Sequence, residues 1–544
     1  MPERTHRWGS RVTSGLRTRA AVSAVVLATA TLTLSACTAP AAPTSVRWTP
    51  ASGGNGNPGA DAVAAVTQER VAAAVAALPG YVDFVMKESG VPGISVAVAY
   101  QGETLFAEGF GVRSLATGEP VDRDTVFQLA SVSKSVGATV VAREVGKGTV
   151  SWETRLSDHL PDFALSDPWV TKHVTVADMY THRSGLYEHA GDELEDLGFD
   201  QTEVLKRLRH TPLGEFRAEE QYTNFGLTAA AEAVANAAGL DWATLSERDL
   251  YQPLGMRTTS SRYDDFVGRT NRAVGHVPID GRWAVTTKQR QPDAQSPAGG
   301  VSSSAADMAA WMKLVLGEGT VDGQEIIPRD ALVPAITAAF VSKPPASSAA
   351  RAGLSGYGFN VGITPGGLPT LSHSGAFTLG TGTSFTMLPS QGLGIVVLTN
   401  GSPVGAAEAI AAQFIDLAQF GEPRQDWWQL ARAMMAPLMA PLGELAGKTP
   451  PEDPDPAKPL SQYAGTYRNT YFGPARVTVD GDSLNLAIGP AAGGWTLTHW
   501  DGDTFSYRPY TENAPPGTVG RATFTGGRLV VELLNTHGLG TFTR

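Results

Sequence analysis

The sequence predicts an α/β (α+β) domain with a central antiparallel sheet flanked by helices, followed by a small, separate all-β barrel. Three observations carry this prediction. First, Gly93–Tyr100 and Thr104–Ala107 are rich in β-branched and aromatic residues and flank a turn at Gln101-Gly102, which reads as a hairpin. Second, the middle of the chain is mainly helical, and three short strands separated by Gly-rich turns close it: Thr370–Ser374, Gly382–Met387 and Gly394–Leu398. Strands at both ends with helices between them imply one sheet in which the two ends meet. Third, from Leu460 the pattern changes to short strands joined at Asp480-Gly481, Asp501-Gly502 and Gly526-Gly527, the turn chemistry of β-hairpins.

In chain order, residues 1–36 read as a signal segment. Five arginines (Arg4, Arg7, Arg11, Arg17 and Arg19) stand against Glu3, and an uncharged stretch follows from Ala20 to Ala36. That stretch leads into Leu34-Ser35-Ala36-Cys37, which resembles the bacterial lipoprotein lipobox. The resemblance implies cleavage before Cys37, the only cysteine in the chain, and its lipidation. The mature protein then has no disulfide, and it sits on the outer face of the bacterial cytoplasmic membrane, held by the lipid anchor alone. Residues 37–61 are rich in Pro, Gly, Ser and Thr and read as a flexible tether. A helical pattern begins at Ala62 and opens a folded domain over 62–425. The stretch from Thr399-Asn400 to about Leu445 reads as helical. Residues 426–459 form a helical, then Pro-rich linker, and 460–544 form the β-module.

Bulk properties bound the partners. Apolar residues make up 42% of the 544, enough for a large core, and the formal net charge is −11. That acidity argues against nucleic acid as a partner. A His-Glu-x-x-His pattern, a cysteine pair for zinc and a Gly-x-Ser-x-Gly elbow are all missing, and no cofactor or metal is expected.

The candidate chemistry lies in three separated segments: Ser131-Val132-Ser133-Lys134, Tyr222-Thr223-Asn224 and His373-Ser374-Gly375. On a helix, Lys134 falls on the same face as Ser131, one turn on. A helix-forming run from Val136 to Val145 puts Ser131 at a helix N-terminus, where backbone N–H groups favour a developing oxyanion. A serine hydroxyl becomes a useful nucleophile only when a base takes its proton. Free lysine and tyrosine both titrate near pH 10, so one of them has to be lowered by its surroundings. Ser-x-x-Lys alone is a weak signal, and His182, His189 and His210 read as structural.

Together and in this order, the segments resemble the serine β-lactamase and penicillin-recognising superfamily. The resemblance is to its class C-related, CubicO-type branch of β-lactamases, D-Ala-D-Ala carboxypeptidases, D-aminopeptidases and esterases. Val174–Met179, Thr181–Leu186, Pro253–Met256 and Pro297–Val301 match as well, over roughly 75–420. The resemblance implies a β-lactamase/transpeptidase-like fold with Ser131 as nucleophile. Lys134 and Tyr222 handle its proton, and Asn224 holds the lysine and the substrate amide. The N–H groups of Ser131 and Ala376 form the oxyanion hole, and His373, Ser374 and Gly375 line the substrate strand. The β-module resembles the lipocalin-like domain that follows many such hydrolases, through Tyr463–Tyr467, Tyr471–Pro474 and His499–Phe505.

Two departures from the family pattern matter. His-Ser-Gly stands where β-lactamases have Lys-Thr-Gly. A mostly neutral histidine that donates one directed hydrogen bond replaces a fixed ammonium. This favours an esterase or an aminopeptidase-like amidase over a β-lactamase or carboxypeptidase, and it puts more weight on Lys134 as base. Phe216–Gln221 also replaces the usual Pro-Gly turn before Tyr222. The expectation is a lipid-anchored serine hydrolase acting through an acyl-enzyme on a small-molecule or peptide substrate, with cell-wall-derived material among the candidates. The alternatives are a β-lactamase or carboxypeptidase, or a non-hydrolysing cell-wall or antibiotic-binding protein.

Overall fold

A computed structural model describes residues 66–544. The signal segment, Cys37 and the tether lie outside the described residues. The first helix among the described residues, α1 (Gln68–Ser89), starts where Thr67 accepts a hydrogen bond from the Arg70 N–H. It ends at Gly90, whose φ of 72° is the left-handed conformation glycine tolerates and which returns its N–H to Met86.

Strands β1 (Gly93–Tyr100) and β2 (Glu103–Gly111) form the expected hairpin. Helix α2 (Val132–Lys147) follows Ser131 directly. The helical middle also holds a short helix α3 (Asp192–Asp196), then α4 (Asn224–Ala238) and α5 (Ala305–Leu316), among other short helices. Next come β3 (Phe340–Lys343), β4 (Gly353–Ser355) and β5 (Asn360–Ile363). The three anticipated strands are β6 (Pro369–Phe377), β7 (Thr381–Leu388) and β8 (Leu393–Thr399). All eight join one antiparallel sheet in the order β2-β1-β8-β7-β6-β5-β4-β3. The two chain ends meet there, with Ile94 opposite Thr399 and Tyr100 opposite Leu393.

Strand β1 is apolar at nearly every position because both of its faces are covered. Ile94, Val96 and Val98 pack in one layer with α1 and with α6 (Ala406–Phe420). Ala97 and Ala99 face the opposite layer, which holds α2, α4 and α5. Strand β6 is the strand that matters for the site. Its first half, Pro369–Ser372, pairs with β5, whereas Gly375–Phe377 pairs only with β7. That second half therefore offers an open backbone edge.

The helical stretch after Asn400 is interrupted. Helix α6 ends at Gly421 (φ 76°), α7 spans Trp427–Met435, and one 3-10 turn closes at Met439 rather than near Leu445. Pro437 and Pro441 remove the N–H groups that a longer helix needs.

The β-module is a meander of eight strands: β9 (Gly465–Tyr467), β10 (Ala475–Asp480), β11 (Ser483–Ile488), β12 (Trp495–Asp501), β13 (Thr504–Tyr507), β14 (Gly520–Thr525), β15 (Arg528–Val531) and β16 (Thr541–Thr543). Each strand pairs with the next. A reciprocal pair of backbone bonds between Arg468 and Thr543 (2.6 and 3.0 Å) nearly closes the barrel. Gly526 and Gly527 both take positive φ (55° and 80°) between paired Thr525 and Arg528, as a primed hairpin turn demands. The module rests against the helical layer. Arg207 Nη1 donates to the Tyr471 carbonyl (2.6 Å), Ala491 N donates to the Leu197 carbonyl (2.9 Å), and His537 stacks on Tyr187 (3.8 Å).

Candidate active site

Ser131 sits at the N-cap of α2. The residue before it, Ala130, is held at φ 47°, a strained conformation for a residue with a Cβ. Its neighbours fix it there. The Leu129 N–H donates to Val301 (2.8 Å), the Leu129 carbonyl accepts from Thr383 Oγ1 (2.7 Å), and Ser133 Oγ accepts from the Val301 N–H (3.0 Å). Strand β6 passes so close that a Cβ at Gly375 would stand 2.2 Å from the Leu129 oxygen and 3.1 Å from the Ser131 nitrogen. Only glycine fits between the strand and the serine loop.

Lys134 is fully buried one turn into α2. Its Nζ lies 3.1 Å from Ser131 Oγ, 2.6 Å from Asn224 Oδ1 and 3.0 Å from the Ala298 carbonyl. Burial pulls its pKa down to about 7, against the opposing pull of the Asp192 carboxylate. Asn224 passes the chain on, donating from Nδ2 to Asp192 Oδ2 (2.8 Å), which His189 Nδ1 also contacts (2.9 Å).

Tyr222 lines the cavity beside Ser131, and its ring lies 4.6 Å from Lys134 Nζ. Burial pushes its pKa up, and the neighbouring Ser131 hydroxyl only partly offsets this. Lys134 is thus the group whose free base is populated near neutral pH, and a neutral amine at this distance can accept a serine proton.

The unusual segment before Tyr222 still delivers it. Arg217 takes the left-handed conformation (φ 64°). Its Nη2 pairs with fully buried Asp178 Oδ2 at 2.7 Å, and Arg183 Nε reaches the other Asp178 oxygen at 2.8 Å. An ion pair therefore stabilises a bend that a Pro-Gly turn would otherwise supply.

His182 and His189 hold Tyr222 in place. The Thr223 N–H donates to His182 Nδ1 (3.2 Å), the His182 ring packs 4.6 Å from that of Tyr222, and the His189 N–H donates to the Tyr222 carbonyl (2.8 Å). Burial, helped by Lys134, keeps His182 neutral, well below its ordinary pKa. Neither belonged to the predicted chemical set; His182 acts through the tyrosine, whereas His189 also contacts Asp192 and itself lines the cavity. His210 lies at the end of a 3-10 turn after α3 and is absent from the cavity lining.

His373 requires a correction. Its ring centroid is 6.5 Å from that of Tyr222, but its Nδ1 lies 2.7 Å from the Ser374 carbonyl, which can only accept. The ring proton is committed there, leaving Nε2 a bare acceptor and not the directed donor expected. Burial and the Lys134 charge lower its pKa to about 4, so it carries no charge at neutral pH. Ser374 itself lines the cavity, and its carbonyl takes the His373 hydrogen bond.

Ser131, Tyr222, Asn224, Ser374 and Ala376 line one cavity of about 490 Å³. The sequence reading missed the other side of this cavity. Asp192 belongs to it, as do Arg290 and Gln295. Arg290 Nη2 pairs with Glu195 Oε2 at 2.5 Å. The β-module also reaches in, through Glu512, Asn513 and Pro515. Glu512 Oε1 accepts from the Thr378 N–H (2.7 Å), and its own carbonyl accepts from Thr378 Oγ1 (2.6 Å). Thr511 Oγ1 and Asn513 Nδ2 donate to Asp196 Oδ2 (2.6 and 3.0 Å). The module therefore ties the end of β6 to α3. Burial raises the Glu512 pKa to about 8 despite Arg290 nearby. Among the described residues, no group of three or more His, Cys, Asp or Glu side chains could hold a metal ion.

The chain is similar in sequence and fold to known proteins. The beta-lactamase family model matches residues 64–420, and a domain of unknown function (DUF3471) matches 449–528. The chain belongs to the beta-lactamase family and is a serine hydrolase of the β-lactamase/penicillin-binding fold. It is 25% identical over 455 residues to the unguisins hydrolase ungD of Aspergillus violaceofuscus, covering 76% of this chain and 80% of that one. It is 28% identical to penicillin-binding protein 4 of Amycolatopsis lactamdurans, over 71% of this chain and 95% of the relative. It is 31% identical to esterase EstB of Burkholderia gladioli, over 34% and 51%. An octameric penicillin-binding protein homologue from Pyrococcus abyssi superposes with a TM-score of 0.58 at 19% identity, over 84% of this chain and 98% of that one, a likeness of fold.

Proposed function

We propose that the protein hydrolyses an ester or amide through an acyl-enzyme on Ser131. The buried Lys134 amine, 3.1 Å from Ser131 Oγ, carries this reading. In its neutral form Lys134 takes the hydroxyl proton as Oγ adds to the substrate carbonyl. The N–H groups of Ser131 and Ala376 stabilise the resulting oxyanion. Collapse breaks the bond to the leaving group, and the proton held by Lys134 passes to it directly or through the Tyr222 hydroxyl. Water then adds to the acyl carbonyl, gives up its proton by the same route, and frees the acid and Ser131. Asn224 holds the lysine, and the open edge of Gly375–Phe377 suits an extended acyl or peptide group.

The neutral His373 separates the readings. With its N–H spent on Ser374, it offers a substrate no cation and no donor. That favours an ester or an amide over a β-lactam or a stem peptide bearing a carboxylate beside the scissile bond. A screen of p-nitrophenyl esters, D-amino-acid amides and carboxylate-bearing β-lactams tests it. Esters or amides should be turned over fastest, and a preference for the β-lactams would overturn the choice.

Lipid attachment at Cys37, on the outer face of the cytoplasmic membrane, is part of the same proposal. Leu34-Ser35-Ala36-Cys37 after an uncharged apolar stretch supports it, since diacylglyceryl transfer supplies the two chains stable anchoring needs. No helix among the described residues is long and apolar enough to cross a membrane. Cys37→Ala should leave an uncleaved precursor or release the protein to the medium. An unlipidated wild-type N-terminus in a membrane-free fraction would contradict the anchor.

A further inference from the structure

Between the two family matches lies a run with no charged or polar side chain, Ala433–Gly443 (AMMAPLMAPLG). Every residue in it is at least partly exposed; Met434 is 65%, Leu438 46% and Leu442 43% accessible. Exposed apolar surface of this density marks a binding face. Both ends of the run are fixed. Just before it, Trp428 and Ala431 are buried against the α6 layer, and a Cβ on Gly405 would meet the Ala431 carbonyl carbon at 2.5 Å. At the far end the Leu442 N–H donates to Thr518 Oγ1 (3.1 Å), and its carbonyl accepts from the Val519 N–H (3.0 Å). The run therefore spans from the hydrolase body to the β-module as a strap. Met435, Pro437, Leu438 and Leu442 line the same cavity as Ser131 and Tyr222, with Phe377 and Pro515 as further apolar walls.

We propose that this strap receives an apolar group of the substrate adjoining the scissile carbonyl, making the protein selective for medium-length alkyl or aryl esters or amides. The proposal rests on the reading of Ser131 as nucleophile. Continuity with the Ser131 cavity favours a substrate group over a lipid surface as the occupant. A pocket with an apolar wall and a few polar groups (Arg290, Glu512) is built for an amphiphilic small molecule. Methionines suit this task, because their unbranched side chains adapt to different shapes.

Two ester series test it. p-Nitrophenyl acylates from acetate to octanoate vary the acyl side, and acetates of methanol to hexanol vary the alkoxy side. Full burial is worth about fourfold per methylene. Against a half-exposed wall, kcat/KM should rise about tenfold from two to six carbons in one series. The double substitution Leu438→Ser with Leu442→Ser should flatten that series, with thermal unfolding confirming the fold. Leu438→Phe, apolar but bulkier, should shift the optimum to a shorter chain. The proposal is overturned if neither series rises, or if the folded double variant keeps the wild-type gain. It is also overturned if that variant loses only binding to phosphatidylglycerol vesicles, which would make the strap a membrane face. If no ester is turned over and fluorophosphonate leaves Ser131 unlabelled, the nucleophile reading fails first, and that outcome is distinct from a flat series on an active enzyme.

Discussion

At the scale of single residues, the proposed chemistry turns on one buried amine. Lys134 has its pKa lowered to about 7 by burial, so below that pH it is an ammonium and cannot take the Ser131 proton. The kcat/KM of an ester substrate should therefore rise as pH increases through about 7. Lys134→Ala should cost at least about 10³-fold and remove that limb of the profile. A variant that kept the limb would show that another group titrates there. Tyr222→Phe should lower turnover while leaving the rise near pH 7, because the tyrosine is pushed up by burial and stays protonated. Near-wild-type turnover by Tyr222→Phe would exclude the phenol from the proton path. His373→Lys should shift preference towards substrates with a carboxylate beside the scissile carbonyl, since an ammonium would replace a neutral ring. Comparing paired ester substrates with and without the carboxylate measures this. Ser131, Lys134, Tyr222 and Asn224 were legible in the sequence, because helical spacing or a family segment reports each of them. Asp192 was not, because its role appears only when Asn224, 32 positions away, donates to it.

Among elements, β6 is the one whose position the rest of the structure works to fix. Gly375 lets it touch the serine loop, and Glu512 holds its far end through the Thr378 N–H. Glu512→Ala should free that turn and slow acylation. Glu512→Gln keeps a carbonyl acceptor for the same N–H and should recover a substantial part of the loss. Burst-phase kinetics with a p-nitrophenyl ester would read this, and equal loss in both variants would show that the Thr378 hydrogen bond is not what holds the turn. Five of the eight strands of the main sheet were readable from β-branched and aromatic runs and Gly turns; the short edge strands β3, β4 and β5 were not anticipated. The break in the helical stretch at Gly421 and Pro437 was marked by punctuating residues, but the tertiary anchoring of the strap was not. The Glu512–Thr378 bond spans 134 positions, and nothing local in the sequence announces it.

For the whole molecule, the β-module is a wall of the cavity as well as a neighbour to it. A chain ending near Pro450 keeps Ser131, Lys134, Tyr222 and Asn224 but loses Glu512, Asn513 and the anchor of Leu442. It should still be labelled at Ser131 by a fluorophosphonate, with turnover reduced and chain-length preference lost. Unchanged selectivity would separate the module from the site. The barrel itself was legible from Asp-Gly and Gly-Gly turns. Its contribution to the cavity was not, because it depends on how two folded bodies meet. The central claim is that Ser131 forms the acyl-enzyme. Its most direct test is intact-protein and peptide mass spectrometry after rapid quench with a slowly deacylating ester. The account predicts one acyl adduct, on the peptide containing Ser131, absent in Ser131→Ala. An adduct on another residue, or one that survives in Ser131→Ala, would contradict it.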